Sequence, residues 1–203
     1  MEQKLAFAIS VIFQPIFVPI YSLIILFNAD TYLTYAVHPD MKLAVYAITV
    51  LNTILVPIGI FYYFLRAGII ESFHMHTAKE RSLPFLTTIV FHCSTLYLFS
   101  KMPVPSLFSN LVLGAIASVA MAFIINLKWK VSIHMLGMGG LVGTIIGLML
   151  RYQVNALSLI MMLVVLSGIV GYSRLKLNAH TPLQVYVGFV LGTLILIGSV
   201  VVP

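Results

Sequence analysis

Two polar segments of this chain place basic and imidazole side chains where long apolar runs begin. The first, 171–188, reads GYSRLKLNAHTPLQVYVG and carries Arg174 and His180. The second, 130–134, reads KVSIH and carries His134. Guanidinium groups donate paired hydrogen bonds that suit phosphate, and imidazoles transfer protons or attack electrophiles. These residue types indicate a site for a phosphate-like anion.

Each segment also has the features of a helix start. Ser132 is a predicted N-cap, which leaves His134 in the first helical turn. Thr181 is a predicted N-cap for the last apolar run, and Pro182 follows at a first helical position, where its missing N–H costs nothing. Counting the crossings puts both starts on one face. Their N–H groups and positive dipole ends would therefore be available to an anion there.

Glycines at intervals of four occur in the same two helices. The earlier helix has Gly139, Gly143 and Gly147, and the last has Gly188 and Gly192. Such spacing lets helix backbones approach closely in lipid. If the two helices pack on each other, two histidines and two helix N-termini converge. The alternative is that these glycines mark ordinary close packing between any two helices.

The composition indicates a membrane protein. Of the 203 residues, 61% are hydrophobic and 8% are charged, and the mean hydropathy is +1.10, which excludes a soluble globular domain. Runs of about 18 to 25 apolar residues match the thickness of a bilayer. We predict an all-α polytopic membrane protein of six to seven helices in one domain, 1–203, with crossings at 5–27, 41–65, 84–100, 105–127, 133–150, 155–172 and 182–202.

Three features of the apolar runs have narrower consequences. Pro15 and Pro19 interrupt the first run, which predicts a kinked helix or a re-entrant pair rather than a cleaved signal peptide. Cys93 is the single cysteine, so the chain has no internal disulfide. His92 lies inside the third run, where we expect a neutral imidazole that hydrogen-bonds to a neighbouring helix.

Basic residues concentrate on the face that carries the two polar segments. The positive-inside rule explains such an excess on the cytoplasmic side. It requires neither histidines nor basic residues at the mouths of helices, so we favour an anion site, and both explanations can hold together. The net charge of +6 indicates lipid headgroups or a phosphate substrate rather than nucleic acid. Eight of the 11 basic residues fall on this face: Lys4, Arg66, Lys79, Arg81, Lys128, Lys130, Arg174 and Lys176.

Three short patterns resemble the three motifs of the type 2 phosphatidic acid phosphatase superfamily and occur in the same order. Ser173 and Arg174, followed after five residues by His180, resemble its third motif, Ser-Arg, five residues, His, three residues, Asp. VSIH at 131–134 resembles the second motif, Pro-Ser-Gly-His. KERSLP at 79–84 resembles a loose form of the first, in which a Lys precedes Arg-Pro by seven residues. The helix count puts all three on one face, as a shared site requires.

Two departures from the family pattern affect the expected chemistry. With Arg81 at the arginine of the first motif, His74 occupies the lysine position and Ser82 the proline position. Lys79 is then either an auxiliary cation or a solvated residue at the membrane interface. The third motif ends in Gln184 instead of Asp. A glutamine one turn after His180 can accept an imidazole N–H but supplies no charge.

The resemblance implies a role for each residue. His180 would attack phosphorus and form a phosphohistidine, and His134 would protonate the leaving alkoxide and then activate water. Gln184 would orient the nucleophile. The predicted phosphate-binding residues are Arg174, Arg81, Lys79, Ser132 and His74.

We therefore predict a metal-independent phosphatase that acts on the phosphomonoester or pyrophosphate of a membrane lipid, with no cofactor, in the bacterial cytoplasmic membrane. One alternative is a weak or inactive family member that binds or transports phosphorylated lipids. Another is a scaffold without a ligand. The sequence leaves open which lipid is bound, which face the site opens to, and the oligomeric state. The acidic residues form no two-metal carboxylate pair at a helix mouth: Glu2, Asp30, Asp40, Glu71 and Glu80.

Overall fold

A computed structural model describes residues 1–28, 35, 37–70 and 78–202, without the side chains of 78–81. None of these residues lies in a β-strand, and the predicted all-α fold is confirmed. The helices within the described ranges are α1 (Glu2–Ile12), α2 (Val18–Asn28), α3 (Pro39–Val50), α4 (Val56–Arg66), α5 (Ala78–Ser100), α6 (Ser106–Asn126), α7 (Ile133–Tyr152), α8 (Leu157–Lys176) and α9 (Pro182–Val201).

In the described part of the chain, seven segments are long and apolar enough to cross a membrane. This number agrees with the predicted crossings, and the chain is a polytopic integral membrane protein. The segments are Glu2–Asn28, Pro39–Arg66, Ser82–Ser100, Ser106–Asn126, Ile133–Tyr152, Leu157–Lys176 and Pro182–Val201.

The first crossing is broken in the middle. Helix α1 ends at Ile12, a 3₁₀ turn covers Pro15–Phe17, and α2 then continues the segment. Gln14 has extended backbone, with φ −61° and ψ 132°, because a proline ring disfavours helical backbone in the residue before it. The predicted interruption is confirmed as two helices joined by a turn.

A π-helical turn, Leu51–Leu55, joins α3 to α4 inside the second crossing. The sequence did not lead us to expect it. Pro57 explains its place: proline lacks an N–H, and its ring clashes with the carbonyl four residues earlier in an α-helix. A wider turn immediately before the proline relieves that conflict.

Helix α5 begins at Ala78, and its membrane-crossing part begins at Ser82, two residues before the predicted start of the crossing at 84. Pro84 lies inside the helix. Hydropathy marks only the apolar part of a segment, whereas the preceding Lys79, Glu80 and Arg81 are good helix formers. The helix therefore extends through charged residues that an apolar count leaves out.

The chain forms two compact units by its internal contacts. Unit 1 comprises Met1–Ser22 and Lys130–Pro203, and unit 2 comprises Leu23–Trp129. The prediction of a single membrane domain stays a prediction.

In unit 2, α5 packs against α6 and against the π turn. The fully buried Phe108 packs on Phe27 and Phe99, with ring centroids 5.4 and 6.5 Å apart. His92 is buried, and its Nδ1 donates to the Thr88 carbonyl at 2.8 Å. The expected partner on a neighbouring helix was wrong, because the carbonyl one turn earlier in the same helix lies within reach.

In unit 1, α7 is the central helix. About two thirds (67%) of its apolar stretch is buried, whereas at most 28% is buried in each of the other described crossings. It packs most extensively on α9 through the glycines. A Cβ added to Gly139 would overlap the carbonyl of Phe189, and one added to Gly192 would overlap that of Leu136. The predicted packing of these two crossings is confirmed.

Candidate functional site

The N-termini of α7 and α9 lie side by side. Ser132 and Thr181 are the N-caps, as predicted. The backbone N–H of Ser132 donates to the carbonyl of Gln184 at 3.2 Å, and a Cβ on Gly188 would lie 2.5 Å from the Ser132 carbonyl oxygen. Two positive helix ends therefore occupy one place in unit 1.

Ser132 is fully buried, and its Oγ accepts the Met135 N–H at 3.5 Å. That bond is the capping interaction, which satisfies one of the N–H groups that a helix start leaves without a partner. Its predicted contact with a phosphate stays a prediction.

A single oxygen organises the start of α9. Gln184 Oε1 accepts the backbone N–H of Thr181 at 3.1 Å and lies 3.2 Å from Nδ1 of His180. A backbone N–H only donates, so the amide must present its oxygen in this direction. The imidazole nitrogen that faces the same oxygen must then carry its hydrogen. In neutral His180 the lone pair is consequently on Nε2.

The other imidazole is fixed by the first crossing. His134 Nε2 lies 3.1 Å from the carbonyl oxygen of Ser10, in α1. Carbonyls only accept, so Nε2 carries the hydrogen and the lone pair of neutral His134 is on Nδ1. Ser10 was not predicted from the sequence. The available signal was Pro15, because a proline disfavours helical backbone in the residue before it and so interrupts the helix that contains Ser10.

Arg174 lies in the last turn of α8 and is half-buried. Its Nε is buried and has no hydrogen-bond partner among the residues that the structure describes. The guanidinium and the imidazole of His180 lie near enough to His134 for their charges to influence it, which places all three groups around the first turn of α7. The nearby Lys176, in contrast, forms an ion pair with Glu2.

Some predicted residues are not placed in this site. Lys79 and Arg81 belong to the first turn of α5, in unit 2, and their side chains are not described. His74 lies outside the described residues. The predicted residues that unit 1 brings together are His134, His180, Arg174, Gln184 and Ser132.

The assembled groups suit an anion and a proton transfer. Two imidazoles with defined tautomers, one guanidinium and two helix N-termini are groups that can serve as nucleophile, acid or base, and hydrogen-bond donors. Within the described ranges, no three His, Cys, Asp or Glu side chains come close enough to hold a metal ion.

Comparison of the chain with models of known families, with curated proteins and with solved structures finds no match. The resemblance to the phosphatase superfamily therefore rests on the residues of the three motifs.

Proposed function

We propose that this membrane protein is a phosphatase that hydrolyses the phosphomonoester or pyrophosphate of a membrane lipid through a phosphohistidine, without a metal ion. The observation that carries the proposal is Arg174, whose buried Nε has no partner among the described residues and whose charge acts on His134. The same proposal assigns the protein to the bacterial cytoplasmic membrane, where a lipid substrate reaches the site laterally from the bilayer.

The state of Arg174 is the argument for an anionic ligand. A buried donor that makes no hydrogen bond costs about 1–3 kcal/mol, and more when it is charged. A phosphate oxygen would accept from Nε and supply the opposite charge. Helix N-termini at Ser132 and Thr181 add fixed dipoles of the correct sign. A phosphate held by these groups has its phosphorus near both imidazoles.

The first chemical step uses the two tautomers. Nε2 of His180 gives its lone pair to phosphorus, and the bond from phosphorus to the lipid oxygen breaks. His134, protonated on both nitrogens, gives its Nδ1 proton to the leaving oxygen, while Nε2–H stays on the Ser10 carbonyl. The products are the dephosphorylated lipid and a phosphohistidine.

The second step reverses these roles. A water oxygen attacks phosphorus, and Nδ1 of His134 takes one of the water protons. The phosphorus–nitrogen bond breaks, its electron pair returns to Nε2 of His180, and inorganic phosphate leaves. His134 is again protonated on both nitrogens, ready for the next substrate. Charge on the equatorial oxygens is neutralised by Arg174 throughout.

Gln184 favours a second candidate function. The amide holds the His180 tautomer but cannot stabilise the positive charge that develops on the ring. A protein with this arrangement can bind a lipid phosphate and react with it slowly or not at all. The second candidate is therefore a weak or inactive relative that binds or transports phosphorylated lipids.

A phosphohistidine trap separates the two functions. Purified protein is mixed with ³²P-labelled phosphatidate, or with a labelled polyprenyl pyrophosphate, and quenched in alkali. The phosphatase proposal expects label on the wild type and on His92→Ala, a buried histidine outside the site, and none on His180→Ala. No label and no turnover, with orthovanadate binding that requires Arg174, supports the binding function. Vanadate binding that Arg174→Ala leaves unchanged contradicts both.

A further inference from the structure

The carbonyl of Ser10 is made available by the break in the first crossing. In a continuous α-helix this carbonyl would accept the N–H of Gln14, four residues later. Gln14 is extended before Pro15, and its N–H donates instead to the Val11 carbonyl at 3.3 Å. Ser10 therefore does not receive the backbone bond that an uninterrupted helix would give it.

His134 takes the position of the missing donor. Its Nε2 lies 3.1 Å from the Ser10 oxygen, although the two residues are 124 positions apart in the chain. We propose that the Pro15 break positions His134 by presenting this carbonyl, and that Ser10 is a positioning residue of the site. The inference rests on the acid–base role proposed for His134.

The contact defines which nitrogen exchanges protons. With Nε2–H held on Ser10, only Nδ1 of His134 gains and loses a proton during the two steps. The ring then need not rotate between acid and base. The carbonyl end of α1 also carries partial negative charge, which offsets part of the repulsion that Arg174 and His180 exert on a protonated His134.

The tautomer of His134 in the wild-type protein is the direct test. Protein labelled with ¹⁵N-histidine is reconstituted in nanodiscs, and two-bond ¹H–¹⁵N correlations are recorded as His134 titrates. The His134→Gln spectrum identifies its signals by their loss. The inference expects neutral His134 with hydrogen on Nε2. Hydrogen on Nδ1 would overturn it, whether or not the protein has phosphatase activity.

A pair of proline variants tests the cause. Pro15→Ala allows Gln14 to become helical and donate to Ser10. We then expect the two His134 tautomers in similar amounts. We also expect kcat to fall by about tenfold, which is a part of the rate enhancement of about 10²–10⁴ that general acid–base catalysis contributes. Pro19→Ala, in the first turn of α2, leaves Gln14 extended and should keep the wild-type spectrum. An unchanged spectrum in a folded Pro15→Ala protein would refute the role of the break.

These measurements separate the inference from the proposed function. If neutral His134 has hydrogen on Nε2 but the protein turns over no lipid phosphate, the positioning contact is supported and the phosphatase proposal is contradicted. If the protein turns over lipid phosphate but neutral His134 has hydrogen on Nδ1, the phosphatase proposal is supported and the positioning role of Ser10 is contradicted. If Pro15→Ala does not fold, the tautomer of His134 in the wild-type protein still tests whether Ser10 positions it.

Discussion

Replacing Gln184 by glutamate should raise phosphatase turnover. Glutamate has the same reach as glutamine, so one carboxylate oxygen can keep both contacts of Oε1, with the Thr181 N–H at 3.1 Å and with Nδ1 of His180 at 3.2 Å. The change adds a negative charge beside the ring that becomes positive when it attacks phosphorus. Its third position in α9 also favours an acidic side chain at the helix start.

The expected gain follows from the contact distance. Two unit charges about 4 Å apart interact by about 4 kcal/mol at an effective dielectric constant of about 20. Both side chains are half-exposed, and a charge-assisted hydrogen bond exceeds a neutral one by about 1–1.5 kcal/mol. Because the amide already holds the tautomer, only the charge is new. The barrier should fall by about 1–3 kcal/mol, which is about fivefold to 150-fold in kcat.

The assay is release of inorganic phosphate from a short-chain lipid phosphate, with orthovanadate affinity measured on the same preparations. Gln184→Asp adds the same charge on a side chain one methylene shorter, so it cannot hold both donors and should give a smaller rise. Gln184→Leu removes the acceptor and should lower kcat below the wild type. Adding His180→Ala to the glutamate variant should abolish the gain.

Three results would each refute the reasoning. A folded Gln184→Glu protein with unchanged turnover would mean that the charge beside His180 does not limit the reaction. If the same protein binds vanadate more weakly and remains inactive, the added carboxylate only repels the anion, as expected of a binding protein. Activity that persists without His180 would place the chemistry elsewhere.

Three other predictions concern binding and packing. Arg174→Ala should weaken vanadate binding by about 1.5–3 kcal/mol, measured by calorimetry, whereas loss of less than twofold would contradict the anion site. Gly192→Ala, whose Cβ would overlap the Leu136 carbonyl, should destabilise unit 1 by about 1–3 kcal/mol; Gly198→Ala, which meets nothing within 4 Å, is the matched control in denaturant unfolding. Ser132→Ala should cost about 1 kcal/mol through the lost cap, and no change would refute that role.

The features that were predicted from the sequence are those set by local rules. Apolar length alone gave the seven crossings. Ser132 and Thr181 were recognised as caps because a short polar side chain before an apolar run has few other roles. Gly139 and Gly192 indicated the α7–α9 contact because glycines four residues apart on a membrane helix let backbones touch.

The features that were missed depend on tertiary contacts. Pro15 predicted an interruption, but nothing in the sequence showed that the carbonyl it exposes would meet a histidine 124 residues away. Hydropathy likewise did not show that a π turn would precede Pro57. The position of Arg81 in the first motif predicts that it shares a site with His134 and His180, and this stays a prediction that rests on the resemblance.

The distribution of charge in unit 1 is a separate argument for an anion at Arg174. Residues 1–22 and 130–203 contain five basic residues and one acidic residue, Glu2, whose carboxylate pairs with Lys176. Arg151 donates to the carbonyls of Val200 and Val202 at the end of α9, at the opposite end from its N-terminus. Among the described side chains of unit 1, no carboxylate therefore remains to pair with the half-buried guanidinium of Arg174. Because a buried donor without a hydrogen bond is costly, and the Nε of Arg174 is such a donor, we expect an external anion to stabilise this side chain. An anion at Arg174 does not depend on whether His180 reacts, so both candidate functions predict vanadate binding there. Only the Gln184 variants and the phosphohistidine trap distinguish the two functions.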